Sequence, residues 1–292
     1  MITKTEINFN NNINEITSCD LYYNDQNSEQ VPIVLFLHGF RAFKRWGFFP
    51  YFAERLAENY IAACIDFSLN TLESEEKQWF KMERFRRNTV SQMITEAEML
   101  INNFNFICSD KEILNRWNGS VYLIGHSLGG ALAIALADRC NADRHNSDSY
   151  NKVKKLVTIC SIYDFDIYTE KQKEKWFLNK TKEFIDSTTG QNIILDLDFL
   201  TDRLTYIGNK SLLSMVSRLD IPYYIIHTQA DATVHPKAAD FLANATKQTT
   251  LYKKEILPKT NHLLNCNHPF DSTNDALEQI INKVGHFFSS SE

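Results

Sequence analysis

Val121-Tyr122-Leu123-Ile124-Gly125-His126-Ser127-Leu128-Gly129-Gly130 is the stretch that decides the fold. Val121–Ile124 is a short apolar run with the length of a buried strand, and Leu128–Ala137 reads as a helix of small residues. Between them stands G-x-S-x-G, a serine on a sharp strand-to-helix turn. The chain has only 9 glycines, yet three of them fall within these six positions from Gly125. A serine held at strained backbone angles leaves no room for flanking side chains, and glycine on both sides removes the collisions. The helix that follows aims its first N–H groups at the serine, which favours a developing negative charge. Taken alone, the motif also fits a tight glycine turn; the sequence around it decides between the two.

Working outward, short apolar runs alternate with amphipathic helical stretches, the pattern of an α/β fold with a mostly parallel sheet flanked by helices. Thr5–Asn10 and Cys19–Tyr23 read as an antiparallel pair joined by an Asn-rich turn. Ile33–Leu37 is a continuous buried strand ending in His38-Gly39-Phe40. Pro50 opens a helix through Asn59, and Ile61–Ile65 is the next strand. Thr89–Phe104 carries a helical apolar stripe, and Ala276–Phe288 carries another at the C-terminal end. Leu156–Cys160, Tyr223–His227 and Leu251–Ile256 supply further strands, and 142–151 is a polar loop. Ile162–Leu219 is too long for a plain strand-to-helix connection. It is studded with aromatics and reads as an inserted helical cap within one domain spanning 1–292.

A serine hydroxyl is a poor nucleophile near neutral pH and needs a positioned base, which in turn needs an anchor. With this elbow the chain order is serine, acid, histidine. His262 lies just beyond the last strand, at the carboxyl edge of the sheet where ligands gather in open α/β folds. Asp231 follows the preceding strand. His268 is the rival base and Asp164 the rival acid. His38, His126 and His227 read as structural. Acyl transfer also needs two N–H donors for the oxyanion. Leu128, directly after the serine, and Phe40, after the early buried strand, are the candidates. Donors of this kind contribute roughly 3–4 kcal/mol each where they have been measured.

The stretch HGFRAFKRWGFFPYFAERLAENYIAACIDFS, then GHSLGG, the D-x-x-V run at Asp231–Val234, Asn261-His262 and His268-Pro269 follow one another in order. In this the chain resembles the α/β-hydrolase superfamily, nearest its dienelactone-hydrolase-like and acyl-esterase branches, the latter including cinnamoyl esterases. The resemblance runs from Val31 to Phe288. It implies an α/β-hydrolase fold, Ser127 as nucleophile, His262 as base, Asp231 as acid, and Phe40 and Leu128 as oxyanion donors. Cinnamoyl-type esterases carry a cap where Ile162–Leu219 stands here. The chain departs from the pattern at His227-Thr228, where many relatives have His-Gly. It departs again at Leu128, where cinnamoyl-type esterases often have Gln.

The expected activity is therefore a serine hydrolase cleaving carboxylic esters of small soluble molecules. A thioesterase, a peptidase-type acyl hydrolase and a ligand-binding protein on a hydrolase scaffold are the alternatives. The chain is 43% hydrophobic and 23% charged, with a net charge of -5. That balance, without a basic stripe, argues against a nucleic-acid partner. No window is apolar enough for a membrane span and no signal-peptide core opens the chain. Six cysteines without CxxC spacing suit a reducing, cytoplasmic compartment. No HExxH or close His/Cys cluster calls for a metal, and the chemistry needs no cofactor. The cap aromatics are candidates for an apolar pocket wall. Arg41, Lys44 and Arg45 read as a solvated loop face, and Trp46 as a packing anchor.

Overall fold

The computed structural model describes residues 1–74, 77–142 and 152–290. The chain opens with an antiparallel pair, β1 (Ile2–Asn10) and β2 (Ile16–Asn24). Asn11 closes its turn, the side-chain oxygen accepting from the N–H groups of Ile13 and Glu15. There follow β3 (Val31–Leu37), α1 (Phe49–Leu56) and β4 (Ile61–Asp66), then a small hairpin of β5 (Leu72–Ser74) and β6 (Trp79–Phe80). Next come α2 (Met82–Phe85), α3 (Val90–Asn102), α4 (Phe104–Ile107) and α5 (Lys111–Arg116). Then β7 (Trp117–His126) leads into α6 (Leu128–Ala142), and β8 (Val153–Ile159) follows. The polar stretch predicted over 142–151 touches α6 at Ala142; its remainder, His145 included, lies outside the described residues.

Eight strands form one sheet in the order β1-β2-β4-β3-β7-β8, continued by β11 (Tyr223–Thr228) and β12 (Leu251–Leu257). From β4 to β12 every pairing is parallel; β2 pairs antiparallel with both β1 and β4. Strands covered on both faces need apolar residues at successive positions, and all seven residues of β3 are buried. Side chains alternate across the pleat. Ile33, Leu35 and Leu37 face the core under α3 and α6, whereas Val34 and Phe36 face the core under α1 and the C-terminal helix α11 (Asp275–Ser289). Each such side chain contributes about 1.5–3 kcal/mol of burial. Thr89 caps α3, its hydroxyl accepting the Gln92 N–H at 3.2 Å, a contact worth about 1 kcal/mol.

The segment after β8 departs from the expected helical cap. It contains α7 (Glu170–Asn179), then an antiparallel hairpin of β9 (Thr181–Ile185) and β10 (Asn192–Asp196), then α8 (Leu197–Arg203). The hairpin has a physical reason: Ile193 and Leu195 alternate inward, and Gly190 turns the chain at a φ of 71°. This unit has its own apolar core of Trp176, Ile193, Leu195, Phe199 and Leu200, completed by Phe80 and Phe85 from before α3. Backbone bonds between Phe80 and the Gln191 side chain, and ion pairing of Arg86 with Asp196, fix the two pieces together. The last piece, α9 (Leu212–Arg218), belongs to the sheet layer: Leu212, Met215 and Val216 join the core beneath α6. Helix α10 (Lys237–Ala245) then connects β11 to β12. Among the described residues no helix is long and apolar enough to cross a membrane.

Candidate active site

The carboxyl ends of β3, β7, β8, β11 and β12 lie along one edge of the sheet and deliver the candidate residues. Ser127 occupies the turn between β7 and α6 at a φ of 58°, the left-handed region that non-glycine residues avoid. The turn is held by the Ser127 N–H donating to the Ile159 carbonyl at 2.9 Å and by Gly130 N–H donating to the Ser127 carbonyl at 3.0 Å. The flanking glycines are required by proximity: a Cβ on Gly125 would stand 2.1 Å from the Gly129 oxygen, and one on Gly129 2.0 Å from the Leu37 oxygen.

Gly39 brings the turn after β3 alongside the serine, since a Cβ there would lie 3.0 Å from the Ser127 Cβ and 3.5 Å from its hydroxyl oxygen. Phe40 and Leu128 line the same cavity as Ser127, a space of about 850 Å³. The Phe40 ring packs on Phe85 and Phe199, which ties this turn to the inserted unit.

His262 Nδ1 lies 2.7 Å from Asp231 Oδ2. A carboxylate only accepts, so Nδ1–H is the donor in this contact. The other oxygen, Oδ1, accepts the N–H groups of Thr233 and Val234, each at 2.8 Å. Burial alone would raise the Asp231 pKa; hydrogen bonds from His227, His262 and the Val234 N–H outweigh it and hold the carboxyl well below the ordinary range. His126 donates Nε2–H to the His262 carbonyl at 2.8 Å, and the two rings are 4.8 Å apart, so the residue before the serine holds the His262 loop. Burial, reinforced by His262, lowers the His126 pKa to about 3 and keeps that ring neutral.

The rival residues are engaged elsewhere. His268 Nδ1 accepts the Gly47 N–H at 2.7 Å and its ring stacks on Trp46. Asp164 lines the cavity, but its Oδ1 accepts the Asp166 N–H. Arg41, Lys44 and Arg45 depart from a solvated loop face. Arg41 pairs with Asp186, and Lys44 and Arg45 both pair with Glu6 and Asp20; Lys44 is buried.

No protein-family model and no curated protein matches the chain. Solved structures do. Est1E from Butyrivibrio proteoclasticus superposes with a TM-score of 0.65 at 16% identity, covering 97% of this chain and 96% of that one. The α/β hydrolase GrgF from Penicillium sp. sh18 gives 0.68 at 12%, covering 98% of each. Dienelactone hydrolase from Anabaena variabilis gives 0.60 at 14%, covering 98% and 97%. The chain has the α/β-hydrolase fold.

On this α/β-hydrolase frame two further residues stand at the site that the sequence reading did not place there. His227 Nε2 donates to the Val234 carbonyl at 2.9 Å and also faces Asp231 Oδ2 at 3.3 Å. The His-x-x-x-Asp spacing at the strand end is the signal that points to it. Cys160, at the end of β8, brings its sulfur within 4.8 Å of ring nitrogens of His126 and His262, and a second such group joins it to His227 and Asp231. The sequence shows no such cluster because its members come from four separate strand ends. Its polar atoms already have partners: Cys160 has Thr228, His126 the His262 carbonyl, and His262 Asp231. Burial pushes the Cys160 thiol pKa up, so it stays protonated.

Proposed function

We propose that the chain is a serine hydrolase cleaving carboxylic esters of small soluble molecules through an acyl-enzyme intermediate. The observation that carries this is the 2.7 Å contact between His262 Nδ1 and Asp231, which leaves Nε2 to face substrate chemistry on a ring whose backbone is held by the residue before Ser127. In the first step Ser127 Oγ attacks the ester carbonyl carbon and its proton passes to His262 Nε2. The oxyanion takes hydrogen bonds from the Phe40 and Leu128 N–H groups. As the tetrahedral species collapses, the proton moves from His262 to the leaving alkoxide and the alcohol departs. Water then repeats the sequence on the acyl-serine, releasing the acid and restoring Ser127. Asp231 keeps its charge throughout and stabilises the imidazolium.

Solved neighbours support the ester class. Est1E has also been crystallised with ferulic acid, and that complex superposes with a TM-score of 0.67 at 17% identity, covering 94% of each chain. A cavity walled by Phe40, Ile162, Tyr163 and Phe241 suits an aryl or short acyl group. The test is intact-protein mass spectrometry after reaction with a small fluorophosphonate, with peptide mapping. A single adduct on Ser127, lost in His262→Ala, is expected. Folded protein without an adduct overturns the reading in favour of a binding protein.

A further inference from the structure

Arg203, the last residue of α8, reaches the cavity that Ser127 lines, yet it is only 2% exposed. Buried charges are ordinarily paired, because removing an ion from water is costly. This guanidinium has no carboxylate within ion-pair distance among the described residues. Nη1 donates to the Phe165 carbonyl at 3.2 Å, Nε is buried without a hydrogen-bond partner, and the cation lies 4.5 Å from the Phe199 ring centre. The ring contact offsets part of the desolvation, but it uses none of the N–H donors.

Each neighbouring acid has a partner other than Arg203. Asp202 accepts from the backbone N–H and the hydroxyl of Ser91. Asp166 Oδ2 is held by Lys173 at 2.7 Å while its Oδ1 is buried without a hydrogen-bond partner, and Asp164 Oδ1 accepts the Asp166 N–H. Arg41 is drawn off to Asp186. A guanidinium keeps its proton under any condition in which the protein folds, so burial leaves a fixed positive charge in a cavity whose lining also carries Asp164, Asp166, His235 and Lys237 beside its apolar wall.

We propose that Arg203 determines specificity by binding a carboxylate carried by the substrate, so that the preferred esters bear a second, anionic carboxyl group beside the scissile bond. This rests on the esterase reading of Ser127. The planar fork of Arg203 presents N–H donors in the geometry a carboxylate accepts. The enclosing Phe199, Tyr168 and Phe40 side chains keep the contact away from bulk screening.

The test uses two matched ester pairs. One carries the charge on the acyl side: 4-nitrophenyl hydrogen glutarate against 4-nitrophenyl pentanoate. The other carries it on the alcohol side: 4-butyryloxybenzoate against its methyl ester. Within each pair the ratio of kcat/KM is compared between wild type and Arg203→Met, which cancels intrinsic reactivity. At least one pair is expected to lose tenfold or more of its preference for the anionic member, carried in KM. A purely structural role would lower both members together; unchanged ratios in both pairs overturn the proposal.

Binding separates this proposal from the esterase reading. Calorimetry on Ser127→Ala protein compares glutarate with glutaramide and 4-hydroxybenzoate with 4-hydroxybenzamide. At least one carboxylate is expected to bind tenfold or more tightly than its amide, whether or not the wild type turns over any ester. Equal affinities in both comparisons overturn the Arg203 site and leave Ser127 chemistry standing. This measurement also holds should Arg203→Met fail to fold.

Discussion

His227 Nε2 lies 3.3 Å from Asp231 Oδ2, the same oxygen that receives His262 at 2.7 Å. One carboxylate oxygen is thus flanked by two rings, one from the end of β11 and one from the loop after β12. Val234 closes a small circuit around it, accepting from His227 through its carbonyl and donating to Asp231 through its N–H. The acid is fixed in position before any substrate arrives.

This makes His227 a positioning residue. His227 donates to the Val234 carbonyl and stands 3.3 Å from the charged Asp231; losing polar support beside a charged group costs about 1.5–3 kcal/mol, so His227→Leu should lower kcat on a p-nitrophenyl ester about 10- to 100-fold. KM should change little, because His227 lies behind Asp231. His227→Gln, which restores an N–H donor, should recover much of the loss. Steady-state kinetics of the two variants decide it: a leucine variant with wild-type kcat would remove His227 from the assembly.

Ser127 sits at a φ of 58°, where any residue with a Cβ is strained by roughly 1–2 kcal/mol. Ser127→Ala and Ser127→Gly should both abolish ester turnover. Glycine relieves the strain and alanine does not. The glycine variant should therefore melt about 2–4 °C above the alanine variant for a domain of this size. Identical melting temperatures in differential scanning calorimetry would show that the turn is unstrained.

The sheet strands and the serine turn are legible because each is encoded locally. Ile33–Leu37 is apolar at every position, and the glycines of 125–130 cluster where backbones touch. Thr89 and the stripe after it announce α3 in the same way. The inserted unit was less legible. Its hairpin is short, and its core is completed by Phe80 and Phe85, about ninety residues or more upstream of most of its members, a pairing no local window contains. Arg203 and the loop cations show the same limit from the other side. A lone arginine in a helix and three cations in a loop look alike in sequence. Only the fold leaves Arg203 without a carboxylate partner among the described residues while Lys44 and Arg45 meet Glu6 and Asp20.

Two glycines test packing against propensity. A Cβ at Gly129 would meet the Leu37 carbonyl at 2.0 Å, and neither backbone can withdraw without disturbing β3 or the serine turn. Gly129→Ala should cost about 3 kcal/mol or more. Gly285 lies within α11 with nothing within 4 Å of a Cβ. Gly285→Ala should stabilise by about 0.5–1 kcal/mol. Urea unfolding midpoints at constant m-value measure both, and a tolerated Gly129→Ala would contradict the close approach of β3 to the elbow.

Acid should weaken the fold through two buried histidines, opposed by one aspartate. Burial lowers the His38 pKa to about 4 and the His126 pKa to about 3, from an ordinary 6.5. Their contribution is present above the unfolded value and is lost as pH falls through the folded ones, because only the unfolded chain takes up those protons. Burial raises Asp66 to about 7 from 3.8, the opposite sign. The folded chain holds that proton first, so it stabilises as pH falls from 7. Between about pH 6 and 4.5 the unfolded chain therefore binds two extra protons and the folded chain one. These three groups together contribute a difference of one proton, a slope of about 1.4 kcal/mol per pH unit, and His268, which burial also lowers, adds to the same side, so stability falls toward acid. Asp66→Asn removes the opposing group and should steepen that slope by about 1.4 kcal/mol per pH unit. Chemical denaturation at pH 6, 5.5, 5 and 4.5 measures both slopes. A flat wild-type profile, or one that Asp66→Asn leaves unchanged, would mean that these side chains do not titrate as their burial requires.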